Sequence, residues 1–220
     1  MDISLSGVGV IDKGMLIISA LESEPCSLNE LVTTTGLSRA TAHRLAAALE
    51  VHGMVRRLDD GRFALGLRCI GLGHRVVERL PLVEVAPAVL RDLRDQTGES
   101  AQLYVRDGAE RVCVAAIEST YGLRTIVGVG ARLTMEQGSA ARALQGEVGP
   151  AGFVASVGER EPGVASVSAP VFDSDGVIQA AISISGPMDR LGSDPGGRHG
   201  AQTVNAAHEL AKALGWDQKR

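Results

Sequence analysis

The sequence is poor in aromatic residues and cysteines, and it has no long apolar run. Aromatic side chains make up 3% of the 220 residues, so the 45% of residues that are hydrophobic must form a core mainly of Val, Leu, Ile and Ala. Three widely spaced cysteines argue against a disulfide framework or a zinc site and indicate reduced, buried thiols. No run approaches the roughly 18 apolar residues of a membrane span, and the N-terminus lacks the basic region of a secretory signal. We therefore expect a cytoplasmic protein with no membrane contact.

Lysine is absent from the most basic part of the chain. The formal net charge is −4, but residues 39–80 hold eight arginines against four acidic residues. Arginine binds phosphate oxygens and guanine edges through two parallel hydrogen bonds, which lysine cannot do. The charge of this stretch is compatible with nucleic acid as a partner, and equally with a solvated basic face.

The first 53 residues predict three helices. Apolar residues at helical spacing mark a helix over 9–22, on Ile11, Met15, Ile18 and Leu21. A capping box of Ser27 and Glu30 starts a second helix, and Ser38 caps a third that ends near Gly53. The tight turn "TGLS" between the last two has the spacing of a helix-turn-helix unit.

The third helix separates its packing side from its polar groups. One face is apolar, with Ala42, Leu45, Ala46 and Leu49. Helices that enter a major groove read bases with their N-terminal residues. The candidates here are Ser38, Arg39, Thr41, His43 and Arg44. The alternative is an ordinary amphipathic surface helix.

A basic hairpin follows this helix. Residues 54–66 alternate around an Asp-Gly turn, which predicts two short strands. The hairpin carries Arg56, Arg57 and Arg62. A hairpin in this position is a wing, which lies along the phosphate backbone or enters the minor groove. The combination predicts a winged helix-turn-helix DNA-binding domain over residues 1–66.

The rest of the chain predicts a second domain. Residues 67–80 form a linker helix, and the domain itself covers 81–220. It begins with a helix over 82–98, with Pro87 in its first turn or at a kink, and ends with a helix over 197–215 whose apolar stripe is Val204, Ala207, Ala211 and Leu214. Strands are predicted between them, over 100–108, 111–117, 122–133 and a hairpin at 163–186. The fold class is α+β with an antiparallel sheet.

The late hairpin carries a row of hydroxyl groups. Ser166 and Ser168 share one face of their strand, as do Ser183 and Ser185 on the next. A turn closed by Phe172 and Val177 would place Ser166 opposite Ser183. The other face, with Ile178, Ala180, Ile182 and Ile184, must be core. The hydroxyls line a small polar pocket or an ordinary solvent-facing surface.

Motifs of catalysis, metal binding and cofactor binding are missing. The sequence has no G-x-S-x-G, no H-E-x-x-H and no phosphate loop. No base or metal ligand is placed beside the serines, which argues against an enzyme acting through them. We expect no catalytic residue, no metal and no cofactor.

The chain resembles the IclR (isocitrate lyase regulator) family of bacterial transcription factors along nearly its whole length. The resemblance rests on "GVGVIDKGMLIISALES", "LVTTTGLSRATAHRLAAALEVHGMV", "GRFALGLR", the segment from "TGESAQLY" to "TMEQGSAARAL", "GVASVSAPV" and "SISGP". The helix-turn-helix alone fits many regulators, and its combination with the last two motifs is specific to the family. The chain is most similar to the actinobacterial branch that controls genes of leucine and other amino-acid biosynthesis.

The resemblance implies a GAF-like effector domain that binds small carboxylates, keto acids or aromatic acids. The family's effector positions fall here on Thr125, Ser139, Ala140, Ser156, Ser166, Ser183 and Ser185. It also implies homodimers, or dimers of dimers, through the N-terminal domains and linkers. The family usually has roughly thirty more residues where this chain has only 145–152, so either a piece of the pocket wall is lost or a segment is missing.

We therefore predict a sequence-specific transcriptional regulator of amino-acid biosynthesis genes. Its partners are double-stranded DNA with a near-palindromic operator and a small carboxylate or amino-acid-like effector. The alternative is a metabolite-binding module whose N-terminal helices mainly make protein contacts.

Overall fold

The computed structural model describes residues 6–216. The first five and last four residues, which include part of the N-terminal segment discussed above and the ends of the two predicted domains, lie outside this range. Two compact units divide the chain between Arg79 and Leu80. Among the described residues, no helix combines the length and the apolar character needed to cross a bilayer.

The N-terminal unit consists of three helices, a hairpin and a fourth helix. In chain order these are α1 (Gly9–Ala20), α2 (Leu28–Thr35), α3 (Arg39–Val51), β1 (Val55–Arg57), β2 (Phe63–Leu65) and α4 (Arg68–Val77). A small core holds the first three helices and the hairpin together, around Ile17, Leu31, Leu45, Val55 and Phe63.

The predicted apolar stripe of α1 is wrong in its first half. Ile11 and Met15 are 58% and 55% exposed, whereas Ile17, Ile18 and Leu21 are buried. The core of this unit is small and covers the helix mainly over its C-terminal half. Periodicity identified the helix but not the extent of its cover, because the spacing of apolar residues does not show how far the neighbouring elements extend along it.

The C-terminal unit packs helices on both faces of one antiparallel sheet. Its elements are α5 (Pro81–Thr97), β3 (Ser100–Asp107), β4 (Glu110–Ile117), β5 (Arg132–Thr134), α6 (Ser139–Leu144), β6 (Val154–Val157), β7 (Val164–Phe172), β8 (Ile178–Pro187), α7 (Met188–Leu191) and α8 (Pro195–Ala213). The strand order is β5-β4-β3-β8-β7-β6. The main core lies between the sheet and α5 and α8, and a smaller one lies beneath α6 on the other face. The predicted α+β class is confirmed.

Two helices depart from the predicted details. Pro87 is the seventh residue of α5 and lies beyond its first turn, and the helix continues through it. On α8 the buried stripe is Thr203, Ala206, Ala207, Leu210 and Ala211, while Val204 and Leu214 are only partly buried. The face of α8 that packs on the sheet is therefore rotated slightly about the helix axis from the predicted apolar stripe.

The strand predicted over 122–133 is largely absent. Only Arg132–Thr134 pair with β4, and residues 118–131 form an irregular segment. Its glycines include Gly130 at φ +90°, a conformation that interrupts a strand. The short elements β6 and α7 were not predicted, because four residues are too few to show a period.

The register of the serine hairpin differs from the prediction by two residues. Ser166 pairs with Ser185 and Ser168 with Ser183, and Phe172 pairs with Ile178. The turn is one residue longer than expected, and a bulge between Val171 and Phe172 adds one more. Because the two shifts sum to an even number, the serines remain on one face. Ile178 lies beyond the bulge and packs on the opposite face from Ile182 and Ile184.

Candidate DNA-binding surface and effector cavity

Local hydrogen bonds fix the helix-turn-helix. Ser27 and Glu30 form the predicted capping box, in which each side chain accepts from the other residue's backbone N–H. Gly36 ends α2 at φ +67°, and the Ser38 hydroxyl accepts from the N–H of Thr41 to begin α3. Three residues therefore separate α2 and α3. The ends of both helices are set by capping bonds between residues close together in the sequence.

The two sides of α3 have different environments. Ala42, Leu45 and Ala46 are buried in the core and Leu49 is partly buried, as the pattern predicted. On the opposite side Arg39, His43 and Arg44 are exposed, and Ala40 is exposed beside them. Arg39 donates to the side chain of Asn29 on α2. Within residues 6–216 no carboxylate or carbonyl pairs with Arg44, so its guanidinium is available to an external acceptor.

The hairpin is held to the body of the unit by backbone bonds. The N–H of Cys26 donates to the carbonyl of Phe63 at 2.9 Å, and the N–H of Phe63 donates to the carbonyl of Cys26 at 2.7 Å. The two residues form an isolated antiparallel bridge beside β2. Phe63 is buried beneath the hairpin. The wing is therefore fixed in position relative to the helices of its own unit.

The three wing arginines have different surroundings. Arg56 is exposed, with no pairing group among the described residues. Arg57 lies over the ring of Phe63, with 4.5 Å from the guanidinium carbon to the ring centre. Arg62 pairs with Asp60 in the same turn, Nε to Oδ2 at 2.7 Å, and this hydrogen bond raises the pKa of Arg62. All three lie on the surface, but Arg62 already has a counter-ion.

A chain of serine hydroxyls lies on the α6 side of the sheet. Oγ of Ser139 is 2.7 Å from both Ser166 and Ser168, Ser156 is 2.9 Å from Ser166, and Ser168 donates to Ser183 at 2.8 Å. Four of these five residues were predicted effector positions, and Ser168 was not among them. The structure brings them together from β6, β7, β8 and the start of α6.

The serines line a small cavity together with residues that the sequence did not indicate. Its volume is about 30 Å³, and the predicted lining residues are Ser139, Ala140, Ser156, Ser166, Ser183 and Ser185. Arg111 from β4, Tyr104 from β3 and Arg160 from the loop after β6 also line it. Tyr104 and Arg111 come from strands distant in sequence from the serines, so no local spacing could have identified them, whereas Arg160 lies in the loop between β6 and β7. Desolvation raises the pKa of the Tyr104 phenol, and desolvation lowers the pKa of Arg111.

Thr125 lies apart from this group. Its carbonyl accepts from the hydroxyl of Ser100 at 2.7 Å, and Ser100 pairs in register with Ser185. Thr125 instead lines a groove between the irregular segment and α7, together with Pro187 and Met188. Among residues 6–216, no cluster of His, Cys, Asp or Glu is arranged to hold a metal ion.

Family models match most of the chain. The IclR helix-turn-helix domain matches residues 10–59, and the bacterial transcriptional regulator IclR C-terminal domain matches residues 74–148 and 146–214. The chain belongs to the IclR family of transcriptional regulators. Members of this family are non-enzymatic DNA-binding regulators. The C-terminal match resumes at residue 146, within the short segment where the resemblance indicated missing residues.

Curated relatives match over almost their full length. The transcriptional regulator KipR of Bacillus subtilis is 26% identical, with 93% of this chain and 96% of KipR aligned. The repressor IclR of Escherichia coli is 25% identical, with 86% and 83% aligned. These names do not include a regulator of amino-acid biosynthesis.

Solved IclR structures share the fold. IclR of Thermotoga maritima superposes with a TM-score of 0.74 at 21% identity, covering 94% of this chain and 99% of that one. An IclR homologue from Microbacterium hydrocarbonoxydans, crystallised with 4-hydroxybenzoate, also gives 0.74 at 19% identity, covering 93% and 99%. At these identities the likeness concerns the fold alone.

Proposed function

We propose that this IclR-family regulator reads its operator with the exposed N-terminal end of α3. The observation that carries the proposal is the free guanidinium of Arg44 on a helix whose other face is buried. The exposed alanine beside the polar groups lets the helix approach base edges closely. The base-reading set is Ser38, Arg39, Thr41, His43 and Arg44. Arg39 must exchange its bond to Asn29 for a DNA acceptor, so we expect it to contribute less than Arg44.

We propose that the wing holds the phosphate backbone. Arg56 and Arg57 present their charges on the surface of the hairpin, close in sequence to the end of α3. Arg62 shares its charge with Asp60, so its net attraction for a phosphate is smaller. We therefore expect Arg56 to contribute most to binding of the phosphate backbone and Arg62 to contribute least.

We propose a homodimer on a near-palindromic operator. Two helices of the N-terminal unit expose apolar side chains that water does not favour: Val8, Val10, Ile11 and Met15 at α1, and Leu67, Ile70, Leu72, Val76 and Val77 at α4. A two-fold dimer through these faces would place two α3 helices in successive major grooves, about 34 Å apart. Dimers of dimers are compatible with the same surfaces.

We propose that a small carboxylate or amino-acid-like effector binds the serine cavity. Five hydroxyls converge on it, and the neighbour from Microbacterium carries an aromatic hydroxy acid in its own structure. Binding would bias the separation of the two DNA-reading helices through α4, as a shift between existing conformations. Control of amino-acid biosynthesis genes stays a prediction.

The test is operator binding by fluorescence anisotropy on the intergenic DNA upstream of the gene. Arg44→Ala should weaken specific binding by about 5- to 150-fold and leave binding to scrambled DNA nearly unchanged. Arg56→Ala should weaken both equally and reduce the salt dependence by about one phosphate contact. Arg91→Ala is the matched control, because Arg91 is an exposed arginine of the C-terminal unit.

Two results would contradict the proposal. Equal losses on both DNAs for Arg44→Ala would make Arg44 a phosphate contact. Failure of the wild-type protein to distinguish the intergenic DNA from scrambled DNA at moderate salt would favour the alternative, a metabolite-binding module whose helices contact protein.

A further inference from the structure

Within residues 6–216, Arg111 is a buried cation without a carboxylate partner. Its side chain comes from β4, and the residue is 3% exposed. One terminal nitrogen donates to the carbonyl of Thr134, and the guanidinium carbon lies 5.7 Å from the centre of the Tyr104 ring. Nε has no hydrogen-bond partner among the described residues. A buried, unpaired donor on a charged group is costly, which indicates that an acceptor completes it in the functional state.

The guanidinium faces the serine cavity. A Cβ placed on Gly138, the residue before Ser139, would lie 3.4 Å from the second terminal nitrogen of Arg111. Arg111 therefore lies directly beside the start of α6. Tyr104 Oη, which has no hydrogen bond within residues 6–216, lines the same cavity. The lining also includes Arg160 and no acidic residue, so the cavity attracts anions.

The direction of the serine hydrogen bonds defines what else the cavity offers. Ser183 donates to the carbonyl of Ile184, and Ser168 donates to Ser183. Because a hydroxyl has one proton, the remaining bonds must run from Ser156 to Ser166, from Ser166 to Ser139 and from Ser139 to Ser168. All five protons are used.

The first member of this chain keeps the most free acceptor capacity. Ser156 donates to Ser166 and accepts from no described residue, so both of its lone pairs are unused. Its hydroxyl lines the cavity, as does Arg111. The cavity therefore combines a cationic donor at Arg111 with a neutral acceptor at Ser156.

We propose that Arg111 and Ser156 select a small 2-hydroxy acid: the carboxylate accepts from Arg111, and the ligand hydroxyl donates to Ser156. This inference rests on the proposed effector role of the cavity and names the chemical class and the residues that read it. A 2-oxo acid has the carboxylate but no proton for Ser156. A neutral amide has the proton but no charge for Arg111.

The size of the cavity favours acids of few atoms. A volume of about 30 Å³ is far below the roughly 300–1,000 Å³ of pockets that hold drug-sized ligands, so an aromatic acid needs lining side chains to move. Arg160 is partly exposed at the rim and pairs only with its neighbour Glu161, at 3.3 Å, so it is free to yield. A three-carbon acid requires the least displacement.

The first experiment uses the wild-type protein and three matched probes: lactate, pyruvate and lactamide. Trp216, the single tryptophan, packs on the core of the C-terminal unit, so its fluorescence reports the unfolding of that unit. At about 10 mM, lactate should raise the unfolding midpoint, and pyruvate and lactamide should bind at least about tenfold more weakly. Equal shifts with lactate and pyruvate, equal shifts with lactate and lactamide, or no shift with lactate would each overturn the proposal.

The second experiment tests the residues. Arg111→Gln and Ser156→Ala should each weaken lactate binding at least about tenfold, and Arg111→Lys should recover part of the loss. Arg91→Gln, an exposed arginine on α5, should bind lactate as the wild type does. A cooperative unfolding transition of Trp216 fluorescence without ligand shows that the C-terminal unit of each variant is folded. If Arg111→Gln does not fold, the affinity of Arg111→Lys for lactate and the relative affinities of the wild type for the three probes test the proposal instead.

The outcomes separate this inference from the proposed function. Lactate binding that survives Arg111→Gln and Ser156→Ala but is lost in Ser183→Leu would keep the effector site and overturn the role of these two residues. Loss of specific operator binding by the wild type would contradict the proposed function, whatever the cavity binds.

Discussion

Replacement of Gly66 by alanine should displace the wing from α3. A Cβ at this position would lie 2.0 Å from the carbonyl oxygen of Gly53, 2.6 Å from its carbonyl carbon and 2.8 Å from that of Met54. All three atoms belong to the backbone, so no side-chain rotation relieves the overlap. The N–H of Gly66 donates to the carbonyl of Met54 at 2.8 Å at the same crossing.

The expected loss is about 3 kcal/mol. Overpacking against fixed atoms costs about 1–3 kcal/mol, and each hydrogen bond lost adds about 0.5–1.5 kcal/mol. For a unit of this size that corresponds to a fall of roughly 12–24 °C in its unfolding temperature. DNA affinity should fall as well, because Arg56 and Arg57 move with the hairpin.

The assay compares two signals. Far-UV circular dichroism follows both units, whereas the fluorescence of Trp216 follows the C-terminal unit alone. The variant should show an early transition by circular dichroism and an unchanged one by fluorescence. Gly71→Ala is the control: its Cβ meets no atom within 4 Å, and it should stabilise α4 by about 1 kcal/mol. A Gly66→Ala protein that melts and binds DNA as the wild type does would refute this account of the crossing.

Three further predictions concern the C-terminal unit. Glu99 is 3% exposed and accepts two hydrogen bonds from Arg190, both at 2.7 Å. Glu99→Ala should therefore lower the free energy of unfolding, measured by urea denaturation, by about 1–3 kcal/mol. A loss below about 0.5 kcal/mol would contradict this. Burial raises the pKa of Cys113 to about 11, so its thiol should resist alkylation at pH 8 until the protein unfolds, as peptide mapping would show. Burial lowers the pKa of His199 below its ordinary value near 6.5. The stability that the neutral ring contributes is therefore complete above 6.5 and is lost as pH falls from there through the lowered folded-state pKa. His199→Gln should therefore lose less thermal stability between pH 7.5 and 5.5 than the wild type, and an equal loss would exclude this role.

The helix α3 could be predicted from the sequence because its determinants are local. Ser27, Gly36 and Ser38 set the ends of α2 and α3 through bonds that span at most four residues, and the 3.6-residue period separates the buried face from the exposed one. The alternation of β7 and β8 likewise placed their serines on one face. The roles of these residues in DNA and effector binding stay predictions.

The sequence by itself determined where the longer helices form, how α2 and α3 are capped, and which residues of a strand share a face, because each depends on neighbours a few positions away. Only the tertiary structure decided that β3 and β4 bring Tyr104 and Arg111 to the serines, that a longer turn and a bulge together move the hairpin register by two residues, and that half of α1 is left uncovered. These features depend on contacts between segments far apart in the chain, and the spacing of residues carries no record of which distant strand becomes a neighbour.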